Sequence, residues 1–156
     1  MWHEYSGEIV EIGKDVTNNW KIGERVCAMP QIGCAKCSNC RAGRPHRCDK
    51  ALNRATPGNP GAYSEFVRIG AQETFRLPDS VTFQEGALVE PLAVGLHAVK
   101  RAKITAGDNV LIVGGGPVGL SVAVWCKFFG ARHIIVSDLI ADRAEKAGEF
   151  GATGFV

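Results

Sequence analysis

Apolar and polar positions follow two different rhythms along these 156 residues, and the rhythm changes after Pro78. Before it, the apolar residues come in short β-type runs. These are Glu8-Ile9-Val10-Glu11-Ile12, Arg25-Val26-Cys27-Ala28 and Ser64-Glu65-Phe66-Val67-Arg68-Ile69. Glycines and the Asn18-Asn19 pair separate them, and residues 57–61, Pro-Gly-Asn-Pro-Gly, form a turn-rich connection. Short alternating runs with such punctuation predict a small β-rich, barrel-like domain over residues 1–90.

The segment from Glu85 to Ala98 carries Ala87, Leu88, Val89, Leu92, Val94 and Leu96 around Pro91. It predicts two helical pieces, the second starting at Pro91, because proline is tolerated in a first helical turn. A β-α-β unit follows. Residues 110–113 predict a buried strand, 118–129 an apolar helix closed by Gly130, and 133–137 a second strand. Residues 142–150 predict another helix, and 155–156 the start of a third strand. The expected class is α/β plus β-rich: an incomplete β-barrel-type domain, then residues 91–156 as the first half of a Rossmann dinucleotide-binding domain.

Four cysteines interrupt the β-rich part as C-x2-C-x2-C-x7-C: Cys34, Cys37, Cys40 and Cys48. Four thiolates this close form a closed tetrahedral cage, the arrangement of a structural zinc. Gly33, Gly43 and Pro45 argue for a loop ordered by metal rather than by helix. With 6 cysteines in 156 residues and no N-terminal apolar signal segment evident, a secreted disulfide framework is not the expected reading. A ferredoxin cluster wants three residues and a following proline where this chain has seven and Asp49. Two C-x2-C knuckles about 15–20 residues apart, as in a zinc ribbon, are absent. Lys36, Arg41, Arg44, Arg47 and Lys50 offset the negative charge of a zinc tetrathiolate.

Composition narrows the classes further. The chain is 46% hydrophobic and 22% charged, with net charge +2. Neither a nucleic-acid partner nor a membrane partner is expected, since no run approaches the ~18 apolar residues of a bilayer span. Free thiolates point to a reducing, cytoplasmic location. Cys27 and Cys126 read as buried small apolar residues. His46, His97 and His133 read as structural, with His97 in the core.

Gly114, Gly116 and Gly119 give G-x-G-x-x-G between a strand and a helix, and Asp138 ends the second strand 19 residues after Gly119. The first glycine permits a tight turn, the second close approach of backbone to a pyrophosphate, and the third helix-on-strand packing. The helix N-terminus turns its partial positive charge toward the phosphates. A carboxylate at 138 favours NAD over NADP by accepting from the ribose hydroxyl. Two plainer readings stand beside these: a glycine turn that binds nothing, and Asp138 as a helix cap.

Together, His3-Glu4-Tyr5-Ser6-Gly7-Glu8-Ile9, the four-cysteine lobe, Val89-Glu90-Pro91-Leu92-Ala93-Val94-Gly95 and Gly114-Gly115-Gly116-Pro117-Val118-Gly119 resemble the zinc-dependent medium-chain alcohol dehydrogenase family. Within it they are most similar to the polyol branch of sorbitol, butanediol and threonine dehydrogenases. The resemblance covers nearly the whole chain and implies a GroES-like catalytic domain at 1–90. It implies a second, catalytic zinc at His3, Glu4 and Glu90; ethanol-type relatives carry cysteine where Glu90 stands. It adds Pro117, Val118 and Arg143 to the NAD contacts. Trp2 replaces the glycine that the family has before this histidine. The family's cysteine ligand upstream of the motif, and its second dinucleotide half, lie outside these residues, so the chain reads as truncated at both ends.

The implied reaction is hydride transfer from a secondary alcohol or polyol to NAD, with zinc as Lewis acid. The implied partners are a small-molecule substrate and, for the full-length family form, further copies of itself. Read apart from the family, His3 is a solvated histidine near a terminus and Glu90 a helix-start carboxylate. The alternative function is a non-catalytic chain with the structural zinc only. A zinc-free quinone reductase is disfavoured by the complete cysteine cage.

Overall fold

The computed structural model describes residues 3–53 and 61–156, so Trp2 and all but the last residue of the 57–61 turn lie outside the described residues. They form two compact units, Met1–Glu90 and Pro91–Val156.

In the first unit, β1 (Ser6–Glu8), β2 (Arg25–Ala28) and β5 (Thr74–Arg76) make an antiparallel sheet with β2 in the centre. Gly7 faces Val26 on one side and Cys27 faces Phe75 on the other. A central strand has neighbours at both edges, so Val26, Cys27 and Ala28 are all buried. A second ladder, β3 (Gln31–Ile32) against β4 (Leu52–Asn53), brackets the cysteine segment.

Two strand predictions shift. Of residues 8–12 only Glu8 is in a strand, although the Ile9 amide still donates to Glu24 at 3.0 Å. Residues 64–69 form no strand: Ser64 Oγ donates to the Phe66 and Gly61 carbonyls, and Phe66 is 71% exposed. Side-chain bonds of this local kind compete with a ladder.

The cysteine segment is likewise more ordered than a loop. It contains α1 (Ser38–Arg41) and a 3-10 turn, Pro45–Arg47. Cys37 Sγ caps α1 by accepting the Cys40 amide, and Gly43 at φ +70° lets the chain leave it.

The predicted helix pair is real, but its break falls at Leu88. α2 (Phe83–Ala87) starts in a capping box. The Glu85 amide donates to Thr82 Oγ1 at 3.2 Å and the Thr82 amide to Glu85 Oε2 at 2.8 Å. α3 (Val89–Ala102) then holds Pro91 in its first turn, where a missing N–H costs nothing. The buried stripe of α3 runs through Gly95 and Val99, which leaves His97 exposed rather than in the core.

The second unit is a parallel sheet in the order β6 (Asn109–Val113), β7 (His133–Ser137), β8 (Gly154–Phe155). α4 (Pro117–Phe128) crosses between β6 and β7, and Gly130 at φ +78° ends it. The predicted 142–150 helix divides into α5 (Ala141–Lys146) and a 3-10 turn, Ala147–Phe150, closed by Gly151 at φ +105°. Val99, Ile112, Ala123, Cys126, Ile134, Val136 and Ala147 form one core cluster. Leu111 and Val113 are 64% and 84% exposed on the other side of β6. Parallel strands are ordinarily covered on both faces, so these side chains mark an uncovered face among the described residues.

Candidate metal centres and dinucleotide loop

The cysteine lobe brings all four sulfurs together. The Sγ atoms of Cys34, Cys37, Cys40 and Cys48 lie within 4.8 Å of one another. A tetrahedral zinc with Zn–S near 2.3 Å needs sulfurs about 3.8 Å apart, so the cluster fits that ion. None of the six cysteines is in a disulfide. Local geometry explains the convergence. Cys37 and Cys40 donate backbone N–H groups to the preceding cysteine sulfur, each at 3.4 Å. Asn39 Nδ2 donates to the Arg47 carbonyl at 2.8 Å and holds the two turns together.

Electrostatics within the lobe are uneven. Backbone N–H groups of Lys36 and Cys37 aim at Cys34 and hold its thiol at about 6. Burial and the neighbouring sulfur of Cys37 push Cys40 up to about 12. Cys34 therefore ionises readily, and ionising Cys40 beside it requires a cation among the sulfurs. Lys36, Arg41, Arg44, Arg47 and Lys50 are exposed around it. Cys27 and Cys126 are buried away from the cage, and burial raises both thiols.

A second group joins positions far apart in sequence. His3 Nε2 lies 3.6 Å from Glu90 Oε1 and 3.9 Å from Glu4 Oε1. Ligand atoms of all three fall within 4.8 Å of one another. The His3 amide donates to Glu4 Oε2 at 3.1 Å, which lowers that carboxyl. Burial raises the Glu90 carboxyl against the pull of His3. One imidazole and two carboxylates make an N/O donor set of the type that holds a zinc with a position left open.

The glycine loop in the second unit is tight. Gly114 takes φ +105° and donates its amide to Ser137 at 2.7 Å. A Cβ on Gly119 would overlap the Gly114 carbonyl oxygen, so α4 packs against the turn only with glycine there. Nothing lies within 4 Å of a Cβ built on Gly116, which begins α4 without a side-chain cap. That helix start is open and uncapped, with Pro117 behind it and Val118 exposed, a geometry of the kind that accepts an anion at its free N–H groups.

Asp138 Oδ2 accepts the Gly115 amide at 2.7 Å and Oδ1 the Ile140 amide at 2.8 Å. These bonds, Ile140 first, hold its carboxyl below the ordinary aspartate value. Arg143 is exposed, and its carbonyl oxygen lies 3.2 Å from where a Gly115 Cβ would stand. Gly115 is the loop residue that sequence reasoning passed over, being a free position of the fingerprint. His46 and His133 are exposed and belong to neither metal group. Among the described residues no helix is long and apolar enough to cross a membrane.

Residues 1–79 match the model of the alcohol dehydrogenase GroES-like domain. A sorbitol dehydrogenase of Bacillus subtilis is 40% identical over 156 residues, all of this chain and 44% of that protein. An L-threonine 3-dehydrogenase of Pectobacterium atrosepticum is 40% identical over 97% of this chain and 41% of its own length. An Escherichia coli CFT073 alcohol dehydrogenase solved with NADH superposes with TM-score 0.86 at 30% identity, covering 99% of this chain and 45% of that one. The chain thus spans less than half the length of the curated relatives it matches. By its domain match and these relatives, the chain belongs to the zinc-dependent medium-chain alcohol dehydrogenase family.

Proposed function

We propose that this chain carries the zinc sites and the dinucleotide loop of an NAD-linked dehydrogenase acting on a secondary alcohol or polyol. Residues 1–90 serve as the GroES-like zinc-binding catalytic domain and 91–156 as the first half of the Rossmann NAD-binding domain. The observation that carries this reading is the convergence of His3, Glu4 and Glu90, within 4.8 Å of one another, in a chain that also holds the fingerprint loop.

His3, Glu4 and Glu90 hold the catalytic metal, and Cys34, Cys37, Cys40 and Cys48 the structural one. Zinc at the first site supplies Lewis-acid chemistry toward an alcohol oxygen, and nicotinamide supplies the hydride acceptor. The chain's own residues bind and orient. The Glu90 carboxyl, raised by burial, is drawn toward its charged form by a cation beside it. Backbone at Gly114, Gly116 and Gly119 gives the pyrophosphate room, with Pro117 and Val118 opening the helix beneath it. Asp138 accepts from the adenosine ribose, with Arg143 beside it. A polyol is preferred to a primary alcohol because the relatives named for sorbitol and threonine oxidise secondary alcohols and Glu90 stands at the metal. The six free cysteines fit a cytoplasmic setting. The full-length form is a homo-oligomer.

A second reading, a chain holding zinc in the cysteine cage only, is favoured by the 46% exposure of the His3 side chain. Counting zinc in the purified protein separates the two. Two zinc ions per chain, falling to one in His3→Ala, together with NAD binding, are the expected results. One zinc that His3→Ala leaves in place overturns the catalytic-site reading.

A further inference from the structure

Glu73 is 4% exposed, a carboxylic acid inside the first unit that neither metal group uses. Such groups stay inside a protein only when bonded there. The Gly33 amide donates to Glu73 Oε1 at 3.0 Å, and Gly33 is the residue before Cys34. A Cβ on Gly33 would stand 2.9 Å from that oxygen, 2.9 Å from Cys40 Sγ and 3.0 Å from Pro45 Cβ. Carboxyl and cage sulfur thus face each other across a residue with no side chain.

On its far side, Glu73 Oε2 presses on Gly70, where a Cβ would overlap it. The backbone is tied as well. The Met29 amide donates to the Glu73 carbonyl at 2.9 Å, and the Glu73 amide to the Gly70 carbonyl at 3.1 Å. Residues 29 and 33 are therefore both fastened to residue 73, one by its carbonyl and one by its side chain. Between them lies β3, the strand that delivers Cys34.

We propose that Glu73 is a positioning residue for the cysteine cage, fixing Cys34 and Cys40 through the Gly33 amide so that the four sulfurs hold zinc tightly. The inference rests on the reading that the cage binds zinc. It works through hydrogen-bond acceptance, so glutamine, which keeps the acceptor, should replace it and alanine should not. Partners behind metal ligands commonly change metal retention 10–100-fold.

The test is zinc release to a chromophoric chelator from the zinc-loaded protein, in a His3→Ala background so that only the cage reports. Glu73→Ala should release zinc about tenfold faster or more, and Glu73→Gln within about threefold of the parent. With cobalt in place of zinc, the sulfur-to-metal absorption band should shift in Glu73→Ala and return in Glu73→Gln. Should Glu73→Ala fail to fold, Gly33→Ala keeps the carboxyl but forces it from the cage, and should accelerate release likewise. A parent without cage zinc overturns the cage reading itself. A zinc-loaded parent whose release rate is unchanged by Glu73→Ala, or by Gly33→Ala where that variant stands in, overturns this proposal alone. So does a Glu73→Gln variant as fast as Glu73→Ala.

Discussion

The Gly115 amide donates to Asp138 Oδ2 across 2.7 Å, so the carboxylate at the end of β7 also braces the glycine loop after β6. One residue thereby shapes the loop and keeps acceptor capacity beyond the Gly115 and Ile140 amides, which the proposed function assigns to the ribose of NAD.

Replacing Asp138 should affect both roles. Asp138→Ala leaves the Gly115 and Ile140 amides without this acceptor and removes the negative charge that disfavours a 2′-phosphate. NAD affinity should fall about tenfold, and the preference for NAD over NADP should shrink or reverse. Tryptophan fluorescence titration with each dinucleotide reads both. An unchanged NAD-to-NADP ratio would show that Asp138 is only a cap.

Gly119 tolerates nothing larger. A Cβ there overlaps the Gly114 carbonyl oxygen, a backbone atom that cannot rotate away. Gly119→Ala must lift α4 off β6, at a cost of about 1–3 kcal/mol, and deform the loop proposed to hold the pyrophosphate. A lower melting temperature with NAD binding lost is expected. Gly148→Ala, whose Cβ meets nothing within 4 Å, is the matched control and should melt close to the parent.

The second unit was largely legible because its signals are local. Runs 110–113 and 133–137 are apolar enough to be buried parallel strands, and Pro117 and Gly130 bound α4. The cysteine cage was legible for the same reason, with its four ligands inside fifteen residues. Residues 64–69 misled because alternation alone does not provide a partner strand, and Ser64 satisfies nearby carbonyls instead. His97 misled because an apolar helix still has an outer face. The approach of Glu90 to His3, 87 positions apart, follows from no spacing rule and was reached only by family resemblance. Glu73 left no mark at all, since its role depends on two glycines, at 33 and 70, coming together around it.

Core packing in the second unit rests on few side chains. Ile134 is 1% exposed within a cluster built from α3, α4, β6, β7 and the 3-10 turn at Ala147. Ile134→Ala should destabilise that unit by about 2–5 kcal/mol through lost burial and the cavity left behind. Urea unfolding followed by tryptophan emission in a Trp2→Phe, Trp20→Phe background, where Trp125 alone emits, reports on this cluster. A shift below about 1 kcal/mol would mean that neighbouring side chains close the cavity.

Thiol chemistry in the metal-free protein should be as uneven as the lobe's electrostatics. Cys34 is held at about 6 by backbone donors, so it is largely thiolate at neutral pH and half-buried within reach of reagents. Cys40, pushed up to about 12 and buried, stays a thiol. Brief iodoacetamide treatment at pH 7.0 followed by mass spectrometry should therefore label Cys34 well before Cys40, because only the thiolate attacks. The sign with pH follows. Because the Cys34 value is depressed, the thiolate persists above about 6 and is lost as pH falls through it. Labelling of Cys34 should fade as pH falls through about 6, whereas an ordinary cysteine would lose reactivity near 9.0. Zinc binding needs the same thiolate, so metal retention should weaken toward acid, with zinc protecting all four cysteines at neutral pH. Equal labelling of Cys34 and Cys40 in the metal-free protein would refute the proposed asymmetry.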